Sequence, residues 1–176
     1  MTSSQVQSPP YGLTLTELLV VMGLIGLLLT LAIPSYVDLQ HQQLLRKTLT
    51  QTRLLFREAQ SLAMVESKTT RLQITTGASW CLAITRQTSC NCLIESDCAV
   101  AGREYKVSAA KTPILLFHST FVPANSTSFD STGLSYGFAG SLTFKIAERQ
   151  AKLILSNLGR VRVCMAQGQL SGVPQC

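Results

Sequence analysis

Histidine and acidic residues are scarce in this chain of 176 residues. It contains two histidines, His41 and His118, and 9 Asp+Glu residues. The histidines are far apart in sequence and neither has a cluster of carboxylates near it, so the chain offers little material for general acid–base catalysis or for a metal centre. We therefore expect a protein that is not an enzyme, with no catalytic residue, no metal site and no cofactor.

Charged residues of either sign are also few, at 14% of the chain, whereas hydrophobic residues make up 46%. This composition excludes a wholly disordered chain, and the length fits one ordinary domain. The charge is unbalanced, with 15 Lys+Arg and a net charge of +6. The 6 cysteines all lie at or after position 81, outside the apolar N-terminal part, which is typical of a domain in an oxidising compartment.

Residues 18–33 contain no charged side chain, and extending the run back to Leu13 adds one ionisable group, Glu17. As a helix, this segment is about 31 Å long, enough to cross a bilayer. The twelve residues before it contain no Lys or Arg, which disfavours an ordinary secretory signal. A carboxylate in a membrane segment needs a partner. Cleavage after Gly12 would free the Leu13 amine of a neighbouring subunit to pair with Glu17. Otherwise the side chain snorkels to the membrane interface.

Residues 12–20 read GLTLTELLV and resemble the type IV prepilin cleavage motif. The resemblance implies that a prepilin peptidase cuts between Gly12 and Leu13, and that Glu17 acts in filament assembly. Residues 1–12 would then be the leader, and residues 13–34 the transmembrane and filament-core helix. Pro34 falls where the family commonly has a helix-kinking proline. Two features depart from the family: Leu13 replaces the usual Phe, and the leader lacks basic residues.

Apolar residues recur at helical spacing beyond Pro34 to about Val65. They are Val37, Leu44, Leu45, Leu49, Leu55, Phe56, Ala59, Leu62 and Ala63. This pattern predicts one helix from near Leu15 to Val65, with a membrane half and an amphipathic half. We expect the basic residues between the apolar positions, Arg46, Lys47, Arg53 and Arg57, to form a solvated helix face.

The remainder of the chain predicts β-strands separated by turn residues. The predicted strands are residues 70–75, 80–85, 114–121, 141–146, 152–155 and 160–165. The hydroxyl-rich run 123–133 predicts a loop. We therefore predict an α+β fold like that of type IV pilins, in which a long N-terminal helix packs on an antiparallel sheet. Residues 35–176 would form the periplasmic globular domain.

Six cysteines permit fifteen pairings, and their spacing alone does not select one. We favour a bridge between Cys164 and Cys176, because they enclose a short tail that contains glycine. One or two further bridges are expected among Cys81, Cys90, Cys92 and Cys98. A zinc site is disfavoured because Cys90 and Cys92 have C-x-C spacing, and no histidine is near them.

Residues 140–144 and 153–163 resemble the C-terminal part of the FimT/GspH minor pilins and pseudopilins. Members of the FimT branch carry a Gly-Arg-x-Arg element associated with DNA binding in natural transformation, and here it corresponds to Gly159, Arg160 and Arg162. In an extended chain these two arginines project to one side, and each guanidinium matches phosphate oxygens. Lys145 and Lys152 are further candidates for contact with DNA.

Two functions are compatible with these features. The first is a minor pilin that binds double-stranded DNA without sequence preference for uptake. The second is a structural subunit, which either primes pilus assembly or is the H-type pseudopilin of a type II secretion system. The resemblance implies other pilin subunits and the prepilin peptidase as partners. It also places the protein in the inner membrane before assembly and in a pilus at the cell surface afterwards.

Overall fold

The computed structural model describes residue 12 and residues 14–109, 112–123 and 125–176. The chain divides into two compact units, Met1–Gln40 and His41–Cys176. Leu13 and all of the predicted leader except Gly12 lie outside the described residues. Cleavage between Gly12 and Leu13 therefore stays a prediction.

One α-helix, α1, covers Leu15–Val65, as the sequence predicts. Thr14 caps its start, because the Thr14 hydroxyl oxygen accepts a hydrogen bond of 3.2 Å from the Glu17 amide. Thr14 and Glu17 have the spacing of a capping box, so Glu17 occupies the first helical turn. The N-terminal part of α1 is exposed and reaches a mean hydropathy of 2.4. It is long and apolar enough to cross a membrane once, which is compatible with a single-pass anchor.

The C-terminal end of α1 closes with a Schellman motif. The Lys68 amide donates to the Ala63 carbonyl at 3.1 Å, and the Ser67 amide donates to the Met64 carbonyl at 3.3 Å. Ser67 adopts a positive φ of 50°, the conformation that ends a helix. The helix thus stops where the sequence predicts, although a serine occupies the position that glycine usually takes.

The described residues form eight strands in two antiparallel sheets of four. In chain order the strands are β1 Thr70–Thr75, β2 Cys81–Thr85, β3 Lys106–Ser108, β4 Leu115–Ser119, β5 Ser126–Phe129, β6 Gly140–Ile146, β7 Arg149–Leu155 and β8 Val161–Gln167. Sheet A has the order β3-β2-β1-β5, and sheet B has the order β4-β6-β7-β8. An isolated bridge between Gly77 and Leu116 connects the two sheets.

The six predicted strands are present with small shifts at their ends, but two further strands are not predicted. The prediction of a loop over residues 123–133 is wrong for β5, which pairs with β1. The hydroxyls of β5 find partners inside the fold: the Thr127 hydroxyl donates to the Phe138 carbonyl at 2.8 Å. A hydroxyl-rich segment can therefore be a buried strand. The predicted α+β layout with antiparallel β-structure is confirmed, and its strands are divided between two sheets.

Helix α1 and both sheets contribute to one hydrophobic core. The largest fully buried side chains are Trp80, Phe56, Phe121, Phe129 and Phe144. Trp80 contacts Phe144 edge to face at 5.3 Å, and its indole N–H donates to the Ile114 carbonyl at 2.8 Å. Among the described residues, the core cluster extends from Leu45 to Leu170 and so belongs to the second unit.

All six cysteines are paired, and none is free. The predicted bridge between Cys164 and Cys176 is present. The other two bridges join Cys81 to Cys92 and Cys90 to Cys98. Each bridge closes a short segment, which is worth up to about 3 kcal/mol in the chain-entropy account.

Candidate functional site

The Gly-Arg-x-Arg element spans the end of the turn between β7 and β8 and the first two residues of β8. Gly159 and Val161 are buried, whereas Arg160 and Arg162 are exposed. This alternation is that of a strand with one face on the core and the other toward solvent. The two guanidinium groups are therefore available to a ligand. The buried residues Gly159 and Val161 fix the backbone that carries them.

Hydrogen bonds within the turn fix its backbone around Ser156. The Ser156 amide donates to the Arg160 carbonyl at 3.0 Å, and the Gly159 amide donates to the Ser156 carbonyl at 2.9 Å. The Ser156 hydroxyl oxygen accepts from the Arg160 amide at 3.2 Å. The backbone at Arg160 is thus held by the residues that precede it.

Ser135, which is buried, ties the turn to a second loop. Its amide donates to the Asn157 carbonyl at 2.9 Å, and its hydroxyl donates to the Ser156 carbonyl at 2.8 Å. These two bonds satisfy consecutive carbonyls of the turn. They make the loop that precedes β6 part of the support for Arg160.

Gly159 lies against α1 and against Gly133 of that second loop. It has a φ of +73°, and an added Cβ would stand 2.5 Å from the Gln60 side-chain nitrogen and closer still to the Gly133 carbonyl oxygen. The Gln60 amide donates to the same Gly133 oxygen at 2.8 Å. Glycine is therefore required at position 159 by both backbone conformation and space.

Asp130 orders the loop that carries Gly133. Its carboxylate accepts from the Thr132 hydroxyl at 2.6 Å, the Thr132 amide at 2.8 Å and the Leu134 amide at 3.0 Å. These hydrogen bonds, that of the Thr132 hydroxyl first, lower the pKa of Asp130 below its ordinary value. The ionised carboxylate thus supports the loop on which Gly159 rests.

Arginines of α1 lie beside the turn. A first cleft of about 380 Å³ is lined by Arg46, Leu49, Thr50, Arg53, Arg160, Val161, Arg162, Val163, Gly172, Val173 and Pro174. A second cleft of about 460 Å³ is lined by Arg53, Arg57, Gln60, Leu158, Gly159, Arg160 and Val161. The two clefts share Arg53, Arg160 and Val161. We call them together the arginine cleft, whose five cations are Arg46, Arg53, Arg57, Arg160 and Arg162.

No acidic side chain lines the arginine cleft among the described residues. Within the same part of the chain, Arg53, Arg57, Arg160 and Arg162 have no carboxylate at ion-pairing distance. Arg46 donates to the Ser171 carbonyl. No described carboxylate compensates these neighbouring positive charges, so the cleft has a positive potential that attracts anions.

Lys145 and Lys152 lie outside the arginine cleft. Lys152 of β7 pairs with Thr143 of β6 on one side and with Cys164 of β8 on the other. Ile154, two residues after Lys152, pairs with Arg162 of β8. Directly paired and alternate residues share a face of a sheet. The two lysines therefore lie on the same face of sheet B as Arg162, but they do not line the cleft with it.

The three helix arginines are the part of the site that the sequence interpretation missed, because it assigned them to a solvated face. They are exposed, but they also line the cleft. Arg46, Arg53 and Arg57 fall within about 40° of one another around a helix of 3.6 residues per turn. That spacing is a signal in the sequence for one arginine-rich stripe.

Searches with family models, against curated proteins and against solved structures give no match to this chain. The layout itself, a long N-terminal helix followed by antiparallel sheets, is like that of type IV pilins. The arginine cleft can bind an anion with several spaced negative charges, since each guanidinium offers a planar fork of donors.

Proposed function

We propose that this protein is a minor pilin that binds double-stranded DNA through the arginine cleft. The observation that carries the proposal is the convergence of five arginines, from α1, from the β7–β8 turn and from the start of β8, with no acidic lining residue among those described. A duplex offers a dense row of phosphates, and arginine contacts neutralise them with release of counterions.

The chemistry of the cleft favours contact with the backbone over reading of bases. No aromatic side chain lines either cleft among the described residues, so stacking on unpaired bases has no support there. Arginines on an open surface contact phosphates of any sequence. We therefore propose binding without sequence preference, at about micromolar Kd or weaker at physiological salt.

The assignment as a minor pilin rests on the prepilin-like motif at residues 12–20 and on the pilin-like layout. In this proposal the chain belongs with the FimT branch of the FimT/GspH proteins and acts in natural transformation. It is held in the inner membrane before assembly and stands in a pilus afterwards, beside other pilin subunits.

The experiment is a fluorescence-anisotropy titration of the full chain, in non-ionic detergent, with random-sequence duplexes at several salt concentrations. Two double variants remove cations from opposite walls: R160Q/R162Q from the turn and β8, and R53Q/R57Q from α1. The control K68Q/R103Q removes the same net charge from residues that line neither cleft.

We expect each cleft variant to lose at least tenfold in affinity, and the slope of log K against log salt to flatten by roughly two units. The control should stay within about threefold of the wild type, because distant exposed charges are largely screened. We expect K145Q/K152Q to lose less affinity for DNA than either cleft variant. A wild-type chain that does not bind duplex even at low salt contradicts the proposal and favours a structural minor pilin or pseudopilin.

A further inference from the structure

The cysteine-rich segment presents two apolar side chains to solvent. Residues 90–98, which we call the tip loop, read CNCLIESDC. Leu93 and Ile94 in this loop are 55% and 56% exposed, although the loop is anchored by buried Cys92 and Cys98. Leu93 and Ile94 therefore offer adjacent apolar area that a partner could bury.

The tip loop is held in one conformation before any partner binds. One disulfide joins its two ends and a second joins Cys92 to β2 at Cys81. The Asp97 carboxylate accepts from the Asn91 amide at 2.6 Å, and the Asn91 side chain accepts from the Leu93 amide at 3.0 Å. Such an element loses little conformational entropy on binding, so even two apolar contacts gain useful affinity.

The charge of the tip loop defines the chemistry of its partner. Glu95 and Asp97 follow the two apolar residues, and no Lys or Arg occurs in residues 87–102. An acidic loop is repelled by nucleic acid and by anionic lipid surfaces. The complementary surface is an apolar recess with a basic rim.

The first cleft has that character. Leu49, Val161, Val163 and Val173 supply apolar lining, and Arg46, Arg53, Arg160 and Arg162 supply cations. Its volume of about 380 Å³ lies in the range of pockets that enclose a ligand. The bridge between Cys164 and Cys176 holds the segment that contains Val173.

We propose that the tip loop of one copy docks into the first cleft of a second copy of this chain. Leu93 and Ile94 then cover the apolar lining, and Glu95 neutralises arginines of the rim. The inference uses the cleft of the proposed function but does not require that DNA binds there.

This contact is heterologous, because the tip loop follows β2 of sheet A whereas the cleft lies beside β8 of sheet B. A contact between two different surfaces leaves one of each free in a pair, so further copies can add, either until a ring closes or as an open chain. Only a loop enters the cleft, so the interface is below the standard size and we expect weak, reversible association.

Complementary mixing of two variants tests the proposal. The tip variant is L93S/I94S, and the cleft variant is R160E/R162E. Full chains carrying donor or acceptor fluorophores on N-terminal tags are held in separate detergent micelles and are mixed, and energy transfer is measured against concentration. The control L54S/V65S removes two other exposed apolar side chains.

We expect wild-type copies and the control to associate, and each variant mixed with itself to associate at least tenfold more weakly. Mixing the tip variant with the cleft variant restores association, because one partner still has the loop and the other still has the cleft. A photo-crosslinker at position 94 should join peptides that contain Val161 or Val173. Circular dichroism and thiol titration check that both variants fold with their disulfides intact.

The proposal is overturned if wild-type copies do not associate, if the mixture does not recover, or if the crosslink joins only peptides outside the first cleft. The tip variant should bind DNA at least as tightly as the wild type, since it changes no arginine and weakens the loop that competes for the cleft. If association recovers on mixing the two variants but the wild-type chain does not bind DNA, only the proposed function is rejected. If the wild-type chain binds DNA but association does not recover on mixing the two variants, only the docking of the two copies is rejected.

Discussion

Replacing Gly159 by alanine tests whether the fold presets the position of Arg160. The substitution changes no charge and removes no donor or acceptor. It adds one methyl group at a residue with a φ of +73°, and that group would meet Gln60 of α1 and the Gly133 carbonyl.

The expected loss of stability is the sum of two terms. A residue with a Cβ in the left-handed region costs about 1–2 kcal/mol. Forcing a methyl group into an occupied, close-packed space costs about 1–3 kcal/mol more. Gly137 is a matched control, because its φ is +76° but nothing lies within 4 Å of an added Cβ. G137A should therefore lose only the first term.

Thermal unfolding of the two variants separates the terms. At roughly 4 °C per kcal/mol for a domain of this size, G159A should melt several degrees below G137A. Its affinity for duplex DNA should also fall several-fold at unchanged net charge, because the turn must move away from Gln60. Equal melting temperatures for the two variants would refute the argument from close packing, and unchanged DNA affinity in G159A would refute the presetting of Arg160.

Two further predictions concern the supports of the cleft. The pKa of Asp130 is lowered, so its stabilising contribution is present above the unfolded value of about 3.9 and disappears as the pH falls through the lower folded value. In urea titrations from pH 5 to pH 2, D130N should lose less stability than the wild type, and an equal loss contradicts this role. The variant C164S/C176S should lose up to about 3 kcal/mol in such titrations. It should also bind DNA more weakly as the segment around Val173 loosens, and unchanged stability contradicts the prediction.

The sequence was sufficient to predict the helix because its signals are local. A charge-free run, a helical period and a change to polar residues at position 66 together define α1 from Leu15 to Val65. The bridge between Cys164 and Cys176 was also predictable, since a short tail brings both residues close. In each case the information lies within a short segment of the chain.

The second sheet and strand β5 depend on contacts that are distant in sequence. Residues 126–129 read STSF, which predicts a loop, but the β5 backbone pairs with β1 and the Thr127 hydroxyl finds the Phe138 carbonyl. The intrinsic strand propensity of residues 126–129 gives no indication of these partners, because how well a residue fits in a strand depends on the neighbouring strands. Tertiary pairing therefore overrides local composition here.

The candidate site also combines residues that the sequence could identify with residues that it could not. Arg160 and Arg162 could be selected from a short motif, and the exposure of both with Val161 buried follows from strand alternation. The contribution of α1 could not be assigned, because nothing local indicates that β8 lies beside the stripe of Arg46, Arg53 and Arg57. The lining of the first cleft comes from α1, from β8 and from residues 172–174, which are distant in sequence or depend on the tertiary fold for their placement.

If both proposals hold, the cleft binds either DNA or a tip loop, and salt changes the balance between them in a definite direction. Each phosphate contact contributes nearly one unit to the slope of log affinity against log salt, so several contacts make DNA binding steeply salt-dependent. The tip loop offers Glu95 as its free charge and otherwise buries Leu93 and Ile94, whose apolar contribution changes little with salt. Rising salt therefore weakens DNA far more than the loop. Since both proposed ligands need Arg160, we expect low salt to favour DNA in the cleft and high salt to favour contact between copies.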